Sequence, residues 1–218
     1  MKTTIITDNG GSVGVTMIFV LMASVLVGVI AASVIIGGAD GSSPEDDLAE
    51  FTEQILDETI DEITTYIQIP ERYGKYYGES QQQKIEKIAL EIKSLVSKTI
   101  DLTNLTIKLY NGETILTLFY SGNSEFIGSN SLFSHPLWNT LTEYDFGFIV
   151  THDNDNSIVE YDAITENTDR AYLVIQLPTS MTMQKGETLT VKLVPATGII
   201  RSIELKAPLP IKSVVIFE

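Results

Sequence analysis

The chain has 218 residues, with 14 Lys and Arg against 29 Asp and Glu, a net charge of −15 and no cysteine. That acidity argues against nucleic acid as a partner, and the missing cysteines exclude a disulfide framework and thiolate metal sites. The length leaves room for one ordinary domain beyond a membrane segment, not for two.

The first segment, Met1 to Gly11 (MKTTIITDNGG), is short and polar and ends in Gly10-Gly11. Val13 to Ile36 then carries neither charge nor proline. As a helix it is about 36 Å long, enough to cross the hydrocarbon layer of a bilayer. A secretory signal has a shorter apolar region with its cleavage site behind it. Here the glycine pair precedes the helix, where a prepilin-type peptidase would cut between Gly11 and Ser12 and leave the helix on the mature chain. Ser24, Gly28 and Ala32 recur at four-residue spacing, a small face along which helices pack closely in lipid, although ordinary single-pass anchors carry small residues too. Lys2 is the only basic residue before Arg72, and six acids lie between Asp40 and Glu53. The positive-inside rule therefore puts the leader in the cytoplasm and the remaining domain outside.

After the membrane-length helix (residues 12–39), Ser43-Pro44-Glu45-Asp46 reads as a cap, a first-turn proline and acids at the positive end of a second helix. Leu48, Phe51, Ile55, Ile63 and Ile67 keep one face apolar through Ile69, and Pro70 ends the helix. With the loop ERYGKYYGESQQQ it forms an acidic stalk over residues 40–83. KIEKIALEIKSLV fits two periods: Ile85, Ile88, Ala89 and Ile92 suit a helix, whereas Ile88, Leu90 and Ile92 alternate as in a strand. Pattern alone leans to the helix.

From Asp101 the runs LTNLTIKLY and ETILTLFYS flank Asn111-Gly112, a strong hairpin signal. DFGFIVTH, AYLVIQL, TLTVKLV, IRSIELK and IKSVVIF follow, separated by turn residues. The expected fold class is α+β, a long hydrophobic N-terminal helix followed by an antiparallel, Ig-like β-sandwich or barrel over residues 84–218.

Candidate sites are few. His135 and His152 belong to no spaced motif, and G-x-S-x-G, Walker and H-E-x-x-H patterns are missing, so an enzyme is not expected. In Asp153-Asn154-Asp155-Asn156-Ser157, oxygen side chains at Asp153, Asp155 and Ser157 alternate along a turn, as a hard cation such as Ca2+ prefers. The same residues also make ordinary solvated turns. Asn104-Leu105-Thr106 is an N-glycosylation sequon.

Ser12-Val13-Gly14 with the apolar run ending Ile30-Ala31-Ala32-Ser33-Val34 resembles the start of mature archaellins, the subunits of the archaeal swimming filament. KIEKIALEIK, KLYNGETILTLFYSG, Leu137-Trp138, FGFIVTHDNDNSI, AYLVIQL and VKLVPATGII resemble the sheet core of the same family. The resemblance runs nearly end to end. It implies that KIEKIALEIK is a strand, that the apolar helix bundles with copies of itself as a filament core, and that the outer domain holds a metal and a glycan. The implied partners are other archaellins, the prepilin-type peptidase, an ATP-powered assembly and motor platform, and the membrane before assembly. Exposing roughly 2,000 Å² of helix to water would cost on the order of 50 kcal/mol, so the subunit must pass from lipid to bundle directly. The leader lacks the basic residues that archaellin leaders place before the glycine, which keeps two alternatives open: a membrane-anchored, stator-like component and an adhesive pilin.

Overall fold

The computed structural model describes residues 67–78, 83–95, 99–196 and 199–217. The predicted leader, the cleavage point at Gly11 and Ser12, the small face of Ser24, Gly28 and Ala32, and the stalk helix up to residue 66 lie outside these residues.

Twelve strands are described: β1 (Ile67–Gln68), β2 (Arg72–Tyr77), β3 (Lys84–Ser94), β4 (Ile100–Asp101), β5 (Thr106–Tyr110), β6 (Ile115–Phe126), β7 (Asp145–His152), β8 (Ala163–Ile164), β9 (Arg170–Gln176), β10 (Thr188–Val194), β11 (Arg201–Lys206) and β12 (Val214–Ile216). One short helix, α1 (Ser157–Tyr161), lies between β7 and β8. Ten strands form one sheet in the order β11-β10-β5-β6-β7-β9-β3-β2-β12, with β1 added beside β3, and β4 pairs separately with β8. The sheet curls on itself. Ile107, Leu109, Val191 and Leu205 from one end share a single buried cluster with Ile88, Leu90, Phe146, Phe148 and Leu173 from the other. Each such side chain, fully withdrawn from water, contributes about 1.5–3 kcal/mol.

The Asn111-Gly112 hairpin forms as expected: β5 and β6 pair antiparallel, Tyr110 stands opposite Ile115, and Gly112 takes a φ of 98° that a side chain would resist. The all-antiparallel expectation fails at one pair, because β6 and β7 run parallel. Parallel neighbours require a crossover, and residues 127–144 supply it. Two 3-10 turns in this crossover, Leu132–Ser134 and Pro136–Asn139, lay Phe133, Leu137 and Trp138 on the outer face of the sheet against Ala89, Ile149 and Val174. The central strands β3, β7 and β9 are therefore covered on both faces.

Two local expectations change. Ile67, assigned to the stalk helix, lies in β1 opposite Ser94. Ile67 and Ile69 are both buried on alternate positions, and Pro70 disfavours helical backbone at the residue before it. ERYGKYY, expected to be a loop, contains β2. Its glycine is a packing seat rather than a breaker, since a Cβ on Gly74 would lie 2.8 Å from Cζ of Phe217. Tyr76, buried beside it, donates its hydroxyl to the Pro208 carbonyl at 2.6 Å.

Candidate metal centre

Strand pairing builds this site. β7 and β9 are antiparallel neighbours with His152 opposite Arg170, so the residue after β7, Asp153, meets the residue before β9, Asp169. Between them the chain turns through Asn154 and Asp155 and enters α1, with Asn156 in the left-handed region at φ 58°. Asparagine tolerates that conformation because its short side chain bonds locally. Ile158, fully buried, anchors α1 in the core.

One carboxylate oxygen from each of Asp153, Asp155 and Asp169 can be chosen so that all three lie within 4.8 Å of one another. Asp153 accepts from the backbone N–H groups of Ser157 and Ile158, both at 3.0 Å. Asp155 accepts from Ser157 N–H at 3.1 Å and from the Thr165 hydroxyl at 2.7 Å, and the Thr165 and Ser157 hydroxyls lie 3.0 Å apart. Asp169 is wholly buried, and its Oδ2 accepts from the N–H groups of Thr165 at 3.0 Å and Glu166 at 2.8 Å. Its Oδ1 is buried with no hydrogen-bond partner.

The electrostatics differ within the group. Burial pushes the Asp153 carboxyl above its ordinary range, and the charge of Asp169 adds to the effect. The exposed Asp155 is held down to about 2, first by the Thr165 hydroxyl and then by Ser157. Converging carboxylates, two hydroxyls and one orphaned buried oxygen make an all-oxygen donor set with excess negative charge, which suits a hard divalent cation. The predicted ligands Asp153, Asp155 and Ser157 thus come together, and Asp169 and Thr165 join them. Reading Asp169 from sequence would have required knowing that β7 pairs with β9.

Asn104 lies in the exposed turn before β5, where its amide donates to Asp101 Oδ2 at 2.7 Å. Hydrogen bonds from the side chains of Thr103 and Asn104 also hold the Asp101 carboxyl below its ordinary range. His135 is a satisfied, buried histidine: Nδ1 accepts from Leu137 N–H at 3.2 Å, and Nε2 lies 3.1 Å from the Phe126 carbonyl. With Nδ1 accepting, Nε2 carries the proton and donates to that carbonyl. His152 is exposed at the end of β7.

Residues 11–205 match the archaeal-type flagellin family. The chain belongs to that family. It is 26% identical to flagellin B3 of Methanocaldococcus jannaschii over 211 residues, 93% of each chain. It is also 26% identical to flagellin A1 of Haloferax volcanii over 175 residues, 80% of this chain and 76% of that one. Among solved structures, the crystal structure of archaeal flagellin FlaB1 from Methanocaldococcus jannaschii superposes with a TM-score of 0.60 at 19% identity, covering 69% of this chain and 95% of that one. The archaeal flagellins and this chain therefore share the β fold described above.

Proposed function

We propose that this chain is a structural, non-enzymatic subunit of the archaeal flagellar filament, polymerising with copies of itself or with other archaellins outside the cell for swimming. The observation that carries this reading is the family match from residue 11 to residue 205, with one relative aligned over 93% of both chains. The charge-free stretch Val13 to Ile36 supports a precursor held in the cytoplasmic membrane, and Gly10-Gly11 before it supports removal of the leader by a prepilin-type peptidase. An assembly and motor platform would then draw the helix from lipid into the filament. Head-to-tail contacts that do not close on themselves give an open helical polymer.

Asp153, Asp155, Ser157 and Asp169 are the residues that would hold a structural Ca2+. Bound there, the ion would offset the charge that α1 and the strand ends gather. Asn104, exposed in its turn, is the proposed glycan acceptor.

The deciding experiment is mass spectrometry of protein sheared as filaments from intact cells. The N-terminal peptide is expected to begin at Ser12, and the Asn104 peptide to carry glycan. Recovery only from membranes, with Met1 retained, would overturn the filament reading, whereas bare Asn104 would remove the glycan alone.

A further inference from the structure

We infer that the outer face of β11, β10, β5 and β6 is a docking surface for a second copy of this chain. The inference rests on the filament reading above and adds to it the place and the chemistry of one contact between copies.

Side chains of a strand alternate between faces, so while Ile107, Leu109, Val191 and Leu193 enter the core, Lys108 and Lys192 point outward and are exposed. The register sets these two lysines directly opposite each other on adjacent strands. Their remaining lateral neighbours are neutral: Ser202 beside Lys192 on β11 and Thr117 beside Lys108 on β6. Among the described residues neither lysine side chain makes a salt bridge or a hydrogen bond. Like charges placed opposite each other weaken a sheet. This arrangement therefore costs the isolated domain stability that a contact with an acidic partner surface would offset.

Large apolar side chains flank the pair. Tyr110 on β5 is 42% exposed, Ile115 opposite it on β6 is 68% exposed, and Phe119 further along β6 is 61% exposed. A core of aromatic and aliphatic groups around paired cations is the composition of a contact surface rather than of a solvated sheet.

Charge identifies the occupant. Each chain carries −15, and nine acids with no base lie between Glu45 and Glu62 alone. A polymer of such chains repels itself unless its few cations stand where copies meet. On the same face of β11 the one acid is Glu204, diagonal to Lys192, and a second copy brings further acidic surface to the pair.

The test is amine acetylation of the full-length protein, as filaments and as subunits dispersed in detergent, read by peptide mass spectrometry. Lys108 and Lys192 are expected to react more slowly in filaments, with exposed Lys185 unchanged. A second measurement follows assembly of Lys108→Gln with Lys192→Gln and of Lys108→Glu with Lys192→Glu. The glutamine pair removes the like-charge opposition, so the subunit should melt no lower than the unmodified chain while its filaments lose salt sensitivity. The glutamate pair should lower filament yield at least about tenfold, because like charges meeting at an interface cost more than one decade of affinity. Lysines that react equally in filaments and in dispersed subunits would overturn the inference. So would protection already complete in dispersed subunits, which would mean that the chain covers this face itself. Failure of the unmodified chain to form filaments would overturn the filament reading as well.

Discussion

Tyr120 shows how single groups secure the end of this domain that carries the acidic site. Its ring packs against Phe146 and Phe148, at centroid distances of 5.9 and 5.3 Å, and its hydroxyl donates to Asp162, the left-handed residue that closes α1. Burial, then the Asp162 carboxylate, push the phenol pKa up, so it remains a donor at any physiological pH. Tyr120→Phe leaves the carboxylate without that partner and should lower stability by about 1.5–3 kcal/mol in chemical denaturation. At the candidate metal site the orphaned Oδ1 of Asp169 sets the next expectation. Millimolar Ca2+ should raise the melting temperature of the unmodified chain, by about 2.7 kcal/mol of added stability at a hundredfold excess over Kd, and Asp169→Asn should abolish most of that rise. No rise in the unmodified chain would remove the ion from this turn. Without calcium, Asp155 has a folded pKa depressed to about 2, so its contribution is present above the unfolded carboxylate range near pH 4 and is lost as pH falls toward 2. The difference in melting temperature between the unmodified chain and Asp155→Asn should therefore shrink across that window. Asp153, Asp155 and Ser157 were legible in sequence because a turn brings near neighbours together. Asp169 and Thr165 were not, because only the pairing of β7 with β9 carries them there.

Strand β3 explains why local periodicity misleads at the scale of an element. Tyr76 stands opposite Ile85 and Lys75 opposite Lys87, so Glu86 is an extra residue that shifts the parity of the strand. Ile85 and Ile88 consequently enter the same core although they are three apart. Ala89 is buried too, on the opposite face, beneath the crossover that carries Trp138. A bulge and two-sided burial together produce the i, i+3, i+4, i+7 pattern of a helix inside a strand. The family resemblance corrected that reading because it carries the pairing that a local pattern lacks. The hairpin at Asn111-Gly112 was legible for the converse reason, since its register depends on four consecutive residues. A second irregularity lies where β6 leaves β5 for β7, with a register shift between Tyr120 and Ser124. Gly147 of β7 faces this bend, and a Cβ there would lie 2.8 Å from the carbonyl oxygen of Asn123 and 3.1 Å from Cδ2 of Leu137. Backbone cannot swing aside as a side chain can. Gly147→Ala should therefore cost about 1–3 kcal/mol, read from the denaturation midpoint, despite adding a single methyl group.

Taken whole, the chain divides after residue 59, and the second unit, residues 60–218, contains every described strand. Its buried cluster draws on both ends of the ten-stranded sheet, from Ile67 in β1 to Phe217 beyond β12, and Phe217 donates its backbone N–H to the Arg72 carbonyl at 2.9 Å. Among the described residues, the core is thus shared between the first and the last strands. A core built from first to last strand should unfold in one step, because opening either end of the sheet exposes side chains that belong to the same cluster. The stretch Val13 to Ile36, by contrast, carries no charged residue, and its exposure to water would be costly. A chain beginning at residue 60 should therefore fold, melt cooperatively and elute as a monomer in size-exclusion chromatography, yet form no filament, whereas the full chain assembles. Filaments from the shortened chain would show that contacts among β units suffice for polymerisation. Failure of the shortened chain to melt cooperatively would mean that residues before 60 complete its core. If it behaves as expected, assembly is divided by chemistry: an apolar segment that cannot remain alone in water drives it, and a self-sufficient acidic β unit presents the lysine-bearing face that aligns one copy with the next.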